Sequence, residues 1–473
     1  MRRFVLMTAL AAGACATGGA PGFNSETAPL VAEPQPKLFV PRFTQHSLQN
    51  GAKVFIGQDQ TLPAVSVVMA FHGGLLEEPA SDAGKTALML HTMIERSARL
   101  DRKQLGGAFD DTCVPQVQLM ADGFVIQATV LLDRLEAFFT VAAEFVQRPE
   151  FGAAAIDMPR AVLLSRLSWR SADPDLIATD VLQRVVFGEQ HRLAVPLEGT
   201  PATVAHLSPS VLEDWHHHVV RPERMTIVLS GRIGEGDALP LLQKAWGKWK
   251  GIGDTPGPVR AGGVLDATSA PKRTMVYGVA RPGLSQTIVR VGRKGLPAAQ
   301  VDRPVLEVLN MIASGRASAQ LRTLEGATYG VMPFYQAHAE SALFGASTAV
   351  DAKFTKDAVN ALLSSYAAVQ GIRSFSSDWL AAISTQLLWY ENRDDFTIAG
   401  RSLALAFRGQ VGMPTDYIAG LHEHVAALRS AEFELLAERY FDDGALQIVL
   451  VGDPKAIETA VSGMSFTKLK WVQ

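Results

Sequence analysis

AVSVVMAFHGG (Ala64–Gly74), followed by SDAGKTALMLHTMIER (Ser81–Arg96), is the stretch from which the fold is read. The first segment reads as a buried strand ending at glycines, and the second belongs to a helix expected from about Ala83 to Leu100. Just upstream, LQNGAKVFIGQD reads as a hairpin around Asn50-Gly51. Downstream, LLDRLEAFFTVAAEFV places Leu131, Leu135, Phe138, Ala142 and Phe145 on one face of an amphipathic helix, and RMTIVLSGRI supplies another buried strand from Met225 to Ser230.

The plan then recurs. SQTIVRVG (Ser285–Gly292) corresponds to the strand at Val67, VDRPVLEVLNMIASG to the helix of Ser81–Arg96, and ALQIVLVGDP to MTIVLSGRI. First and last strands are separated by roughly 160 residues in both halves, which argues for duplication of one unit. GIGDTPGPVRAGGVLDATSAP, between them, is a linker rich in Gly and Pro without periodicity. The expected fold class is therefore α+β: two homologous domains, 38–250 and 272–473, each a sheet with helices on one face, joined by a linker at 251–271.

A chain of 473 residues, 48% hydrophobic and 19% charged, is ordinary globular material with length for more than one domain. Its formal net charge of -3, with both signs interspersed, gives no basic stripe for phosphate backbones, so nucleic acid is not an expected partner. The N-terminus carries Arg2 and Arg3, an apolar run from Phe4 to Ala14, and then AGAC, the layout of an export signal. Cys15 stands where a bacterial lipoprotein signal has its acylated cysteine, although Ala12 occupies a position where Leu is usual. Residues 1–15 are thus read as a signal, with a plain secretory signal and an ordinary buried N-terminal segment as the alternatives. Residues 16–37 are read as a tether. Only Cys113 remains besides Cys15, so with Cys15 lipidated or removed no intrachain disulfide is available.

From LQNGAKV to LRTLEGATYGV, by way of LGGAFD, PLEGTPATVAHLSPSVLEDW and VVRPERMTIVLSGRI, the order and spacing of motifs resemble the pitrilysin/insulinase family of metallopeptidases, which includes the mitochondrial processing peptidases. The resemblance implies a LuxS/processing-peptidase-like metallohydrolase fold, with mostly antiparallel sheets. Active relatives carry H-x-x-E-H on the first helix: two histidines one turn apart bind zinc, and the glutamate takes a proton from the metal-bound water. Laid on that pattern, GKTALMLH puts Ala87 at the first histidine, Leu90 at the glutamate and His91 at the second histidine. A third ligand, a glutamate roughly 75 residues further on, would fall within IDMPRAVLLSRLSWR, which has none. Asp157 and Asp173 flank that position, and Asp157 is expected to serve the start of its helix.

His91 then reads as a helix histidine among apolar neighbours, or as one half of a rebuilt metal pair with Glu95. In EDWHHHVV, His216, His217 and His218 point in different directions on a helix, which suits packing or surface roles better than a shared site. The family's second domain contributes an Arg and a Tyr to the substrate cleft, and QLRTLEGATYGV supplies Arg322 and Tyr329 in that context. A helix from about Val301 to Leu324, ending near Gly326, with a strand beginning near Ala327, would return Tyr329 to the side of Arg322. There the two could hydrogen-bond a peptide carbonyl.

The resemblance therefore implies a zinc-less subunit of an envelope-located, periplasmic heterodimeric metallopeptidase: no cofactor of its own, zinc in a partner subunit of the same family, peptide as substrate, and a lipid anchor to the membrane. The alternatives are a structural or peptide-binding protein without catalytic share, and a metallopeptidase with a rebuilt metal site.

Overall fold

The computed structural model describes residues 41–252, 273–324, 327–372, 377–441, 446–462, 464 and 469–472. The signal with Cys15, the tether, nearly all of the linker and Gly326 lie outside the described residues. The first half runs β1 (Thr44–Ser47), β2 (Lys53–Gln58), β3 (Ala64–His72), α1 (Lys85–Met93), α2 (Arg102–Asp111), β4 (Gln116–Met120), β5 (Gly123–Leu131), α3 (Leu135–Gln147), α4 (Ala153–Arg170), α5 (Pro174–Phe187), α6 (Pro201–His206), α7 (Pro209–Val219), β6 (Met225–Gly231) and α8 (Glu235–Trp246). The second runs β7 (Met275–Ala280), β8 (Gln286–Gly295), α9 (Arg303–Arg322), β9 (Met332–Ala337), β10 (Ala342–Asp351), α10 (Thr355–Gln370), α11 (Ser377–Asn392), α12 (Ile398–Gln410), α13 (Tyr417–Ala427), α14 (Ser430–Tyr440), β11 (Gln447–Gly452), α15 (Pro454–Val461) and β12 (Leu469–Trp471). No helix among the described residues is long and apolar enough to cross a membrane.

Each half builds a six-stranded sheet, in the order β1-β2-β6-β3-β5-β4 and β12-β7-β11-β8-β10-β9. The orders superpose strand for strand from β2 and β7 onward. In both, the last long strand lies parallel to one neighbour (Lys53↔Thr226; Met275↔Gln447) and antiparallel to the other (Met69↔Ile227; Val289↔Leu450). The duplication legible in the sequence is therefore a duplication of topology. Asn50-Gly51 does form the first hairpin turn: Gly51 takes φ 91°, a left-handed conformation that a side chain would resist. Asn50 ties that turn to the end of α8 through its amide, 2.8 Å from the Trp246 carbonyl.

One core lies between the first sheet and its helices, and Leu88, Met89, Leu90 and Met93 of α1 belong to it together with Phe138, Phe145 and Trp246. Leu131 does not join that stripe: it is the last residue of β5 and 57% exposed, because the chain is still extended there and the helical period begins only at Leu135. A second core forms similarly in the other half around Leu306, Leu309, Phe344, Phe433 and Phe441.

The expectation of helices on one face is incomplete. α12, from the second half, covers the opposite face of the first sheet, where Leu405 and Ala406 meet Val68, Ala70, Val125 and Val228. α5, from the first half, covers the second sheet in return, with Val181, Leu182 and Val186 against Val279, Leu343, Val449 and Val451. This exchange buries β3 and β6 on both faces, which is why their sequences are continuous apolar runs instead of alternating ones. It also makes Leu38–Gln473 a single compact unit. Gln410, at the end of α12, donates from Nε2 to the carbonyls of Phe71 (2.9 Å) and Phe124 (3.1 Å). Gly123 permits that approach, since a Cβ there would stand 2.6 Å from the same Nε2.

Candidate functional site

α1 is held at its N-terminus by a carboxylate from outside the helix. Glu78 is fully buried and accepts from the backbone N–H of Gly84 (3.0 Å) and Thr86 (2.7 Å). Its charge is matched by Arg192, which donates from Nε (3.2 Å) and Nη2 (2.7 Å) and also holds the carbonyls of Val195, Pro196 and Leu197. An anion at the positive end of a helix, with its own cation, orients α1 firmly. The helix is shorter than the sequence suggests. It ends at Met93, and a turn through Ser97 leads to Asp101, whose reciprocal capping box with Gln104 opens α2.

Ala87 and Leu90 point into the core, at 0% and 1% exposure. Neither carries a donor atom for a metal. His91 is half-buried, and its ring meets a cation: Nη1 of Arg166, on α4, lies 3.5 Å from Nε2. A guanidinium can only donate, so Nε2 accepts and the ring proton sits on Nδ1. Burial first, and then the Arg166 charge, lower the His91 pKa, so the imidazole is neutral at pH 7.

The residue that reaches His91 across a separation of 75 is therefore an arginine, in the segment where the family resemblance asks for a glutamate. Asp157 does not serve the start of α4, because it is exposed and lies beyond the first turn, which Gly152 opens. Asp173 caps the next helix, accepting from Asp175 N (2.9 Å) and Leu176 N (3.2 Å). Glu95 does not pair with His91, because α1 has ended before it, and its carboxylate takes Nε of Arg102 at 2.8 Å. Among the described residues no group of three His, Cys, Asp or Glu is placed to hold a metal. The residues at the motif positions do not fit a zinc ion: one neutral imidazole faces a fixed positive charge, and two hydrocarbon side chains fill the rest.

The three histidines of α7 diverge, as their spacing implies. His216 is buried with Nε2 2.8 Å from the Val146 carbonyl, and burial brings its pKa down to about 4. His218 stacks on Trp215 and lies 2.8 Å from Glu77 Oε2, while His217 meets the His216 ring in a T-shaped arrangement. The three rings thus serve separate polar and ring contacts and share no site.

Arg322 is the last residue of α9 and exposed. Tyr329 lies seven residues along and is 99% exposed. The strand begins at Met332, later than expected, because residues 327–331 are pinned in an irregular path. Ala327 and Val331 are buried anchors, Gly330 adopts φ 158°, and Thr348 Oγ1 donates to the Gly330 carbonyl at 2.9 Å. Thr328 Oγ1 lies 2.8 Å from the same Thr348 hydroxyl. This path thrusts the phenol outward. Arg322 and Tyr329 both stand on the surface, and no hydrogen bond joins them. Sequence reasoning missed Arg166, Glu78 and Arg192. Only Arg166 left a signal, a cation at the register of the missing ligand.

Residues 206–378 match the family described as the peptidase M16 inactive domain. Uncharacterized zinc proteases of Mycobacterium bovis and Mycobacterium tuberculosis are each 24% identical to this chain over 288 residues, covering 59% of it and 64% of the relative. The match thus spans less than two thirds of those relatives. Among solved structures, a peptidase M16 inactive domain from Pseudomonas fluorescens aligns with a TM-score of 0.77 at 17% identity, over 87% of this chain and 98% of the other. The first half of the periplasmic protease PqqL from Escherichia coli aligns at 0.71 and 15%, over 89% and 95%. Likeness at that identity speaks for the shared fold.

Proposed function

Since this chain belongs to the insulinase-type peptidase family, and has the fold of its non-catalytic members, we propose that it is the zinc-less subunit of a paired metallopeptidase in the bacterial envelope. Zinc belongs to the partner, a chain of the same family with an intact H-x-x-E-H helix. This chain binds extended peptide, partly by strand addition at a sheet edge such as β4 or β9, which end their sheets among the described strands. Arg322 and Tyr329 reach the partner's cleft and hydrogen-bond the substrate backbone there. Cys15 carries the lipid that keeps the pair at the membrane.

The observation that carries this reading is an asymmetry of exposure. At the motif positions of α1 the side chains have become core, with Ala87 and Leu90 buried. Tyr329, at 99% exposure, and Arg322 have no hydrogen-bonding partner among the described residues, as groups meant for another surface would. The test is mixing. The purified chain, added to an H-x-x-E-H chain from the same cell, should form a complex and raise its peptidase activity; no complex and no rise would overturn the proposal.

A further inference from the structure

α4 presents more than the arginine. Met158, Val162, Arg166 and Trp169 recur at helical spacing and so share one face, opposite the buried Ile156, Leu163 and Leu167. The apolar members are left in solvent, Met158 at 52%, Val162 at 44% and Trp169 at 60% exposure. A tryptophan and two aliphatic chains lined up beside a charged head are a surface suited to an amphiphilic ligand with an anionic end.

Arg166 has no carboxylate partner among the described residues, and its Nη1 faces the neutral His91 ring at 3.5 Å. The nearby Arg170, one turn on, is by contrast spoken for: its Nε donates to Asp180 at 3.0 Å. Of the N–H donors of Arg166, the one on Nη1 that faces His91 is steered by the ring, and the rest of the fork stays open to a planar, two-oxygen acceptor. Where the family resemblance would place a metal ion, this chain has a side-chain cation that can grip a carboxylate.

We propose that the erased metal site is a carboxylate-binding site, in which Arg166, oriented by His91, takes a carboxylate of a bound peptide while Met158, Val162 and Trp169 receive its apolar side chains. This rests on the reading above that the chain binds peptide, and deepens it by naming which peptides are preferred: those with a free C-terminus or an acidic side chain next to apolar residues. A charge-assisted, two-pronged contact at a partly exposed site should favour the acid over its uncharged counterpart by about tenfold or more.

The experiment uses the full chain and three probes followed by calorimetry and Trp fluorescence: N-acetyl-trileucine as the free acid, the same peptide as its C-terminal amide, and an amide-capped version with one internal aspartate. The free acid should bind about tenfold or more tightly than the plain amide. Arg166→Ala should erase that preference, chiefly by weakening binding of the acid, with Arg166→Lys retaining part of it. If the aspartate peptide matches the free acid, the recognised group is a side chain as well as a terminus; if it behaves like the plain amide, the terminus alone is recognised. Equal binding of acid and amide by the native chain, or a preference that survives in Arg166→Ala, would overturn the carboxylate site and leave peptide binding standing. Failure of all three probes to bind at millimolar concentration would overturn both. Activation of the partner, measured separately, bears on neither outcome.

Discussion

Replacing Glu78 with alanine tests whether α1 is a retained structural element held by one buried ion pair. In the native chain this carboxylate accepts four hydrogen bonds, two from Arg192 and two from the Gly84 and Thr86 amides. Its removal strands Arg192, only 2% exposed, with backbone carbonyls as its remaining partners. Breaking a buried pair from one side costs about 3–5 kcal/mol, and the two orphaned amides add about 1–3 kcal/mol each where water cannot reach them. Some relaxation of the loop will offset this, so a loss of about 4–6 kcal/mol is expected. The assay is urea unfolding followed by far-UV circular dichroism and Trp fluorescence, with Arg192→Met and the double variant completing a cycle. The double variant should lose less than Glu78→Ala alone, because no charge is then left unpaired. A loss below about 1 kcal/mol for Glu78→Ala, or strict additivity in the cycle, would show that this ion pair does not hold α1.

Three further outcomes follow. Gln410→Ala removes a second donor from two buried carbonyls that the β3–β5 ladder already pairs, and should destabilise the chain by about 1–2 kcal/mol in the same unfolding assay, with Gln410→Asn no better because its reach is shorter. His216 is neutral when folded, with a pKa of about 4, but titrates near 6.5 when unfolded. The unfolded chain therefore gains the proton first, and stability should be flat above about pH 6.5 and fall by about 3 kcal/mol on the way to pH 4, a loss that His216→Gln should reduce. His72, also lowered to about 4 chiefly by burial, acts with the same sign. After mild chelation and re-exposure to zinc, metal analysis of the isolated chain should find well under one ion per chain; one tightly held ion would instead support a rebuilt metal site.

The repeated order of strands and helices was readable because each half repeats its apolar runs at the same spacing, and the hairpin because Asn50-Gly51 fixes its own turn. The exchanged helices were not. Nothing local in α5 or α12 says that its apolar stripe belongs to the other half, and the apolar runs of β3 and β6 show only that both faces are covered, not by what. The early end of α1 was hidden because Glu95 and Arg96 continue a plausible helix, whereas the capping box at Asp101 decides where the next one starts. At the site, the loss of ligands at Ala87 and Leu90 could be read directly, and so could the spacing of Arg322 and Tyr329. The pairing of His91 with Arg166 needs two helices packed together across 75 residues, which only the fold supplies.

If chemistry is shared between two chains as proposed, Arg322 and Tyr329 act on a zinc site carried by the partner. The most direct measurement is the peptidase activity of the reconstituted pair carrying Arg322→Ala and Tyr329→Phe in this chain, alongside the complex yield by size exclusion. An unchanged yield is expected, with kcat/KM lowered by about 10- to 1,000-fold, since donors to the substrate backbone and oxyanion are removed. Full activity in a normally assembled pair would contradict that sharing.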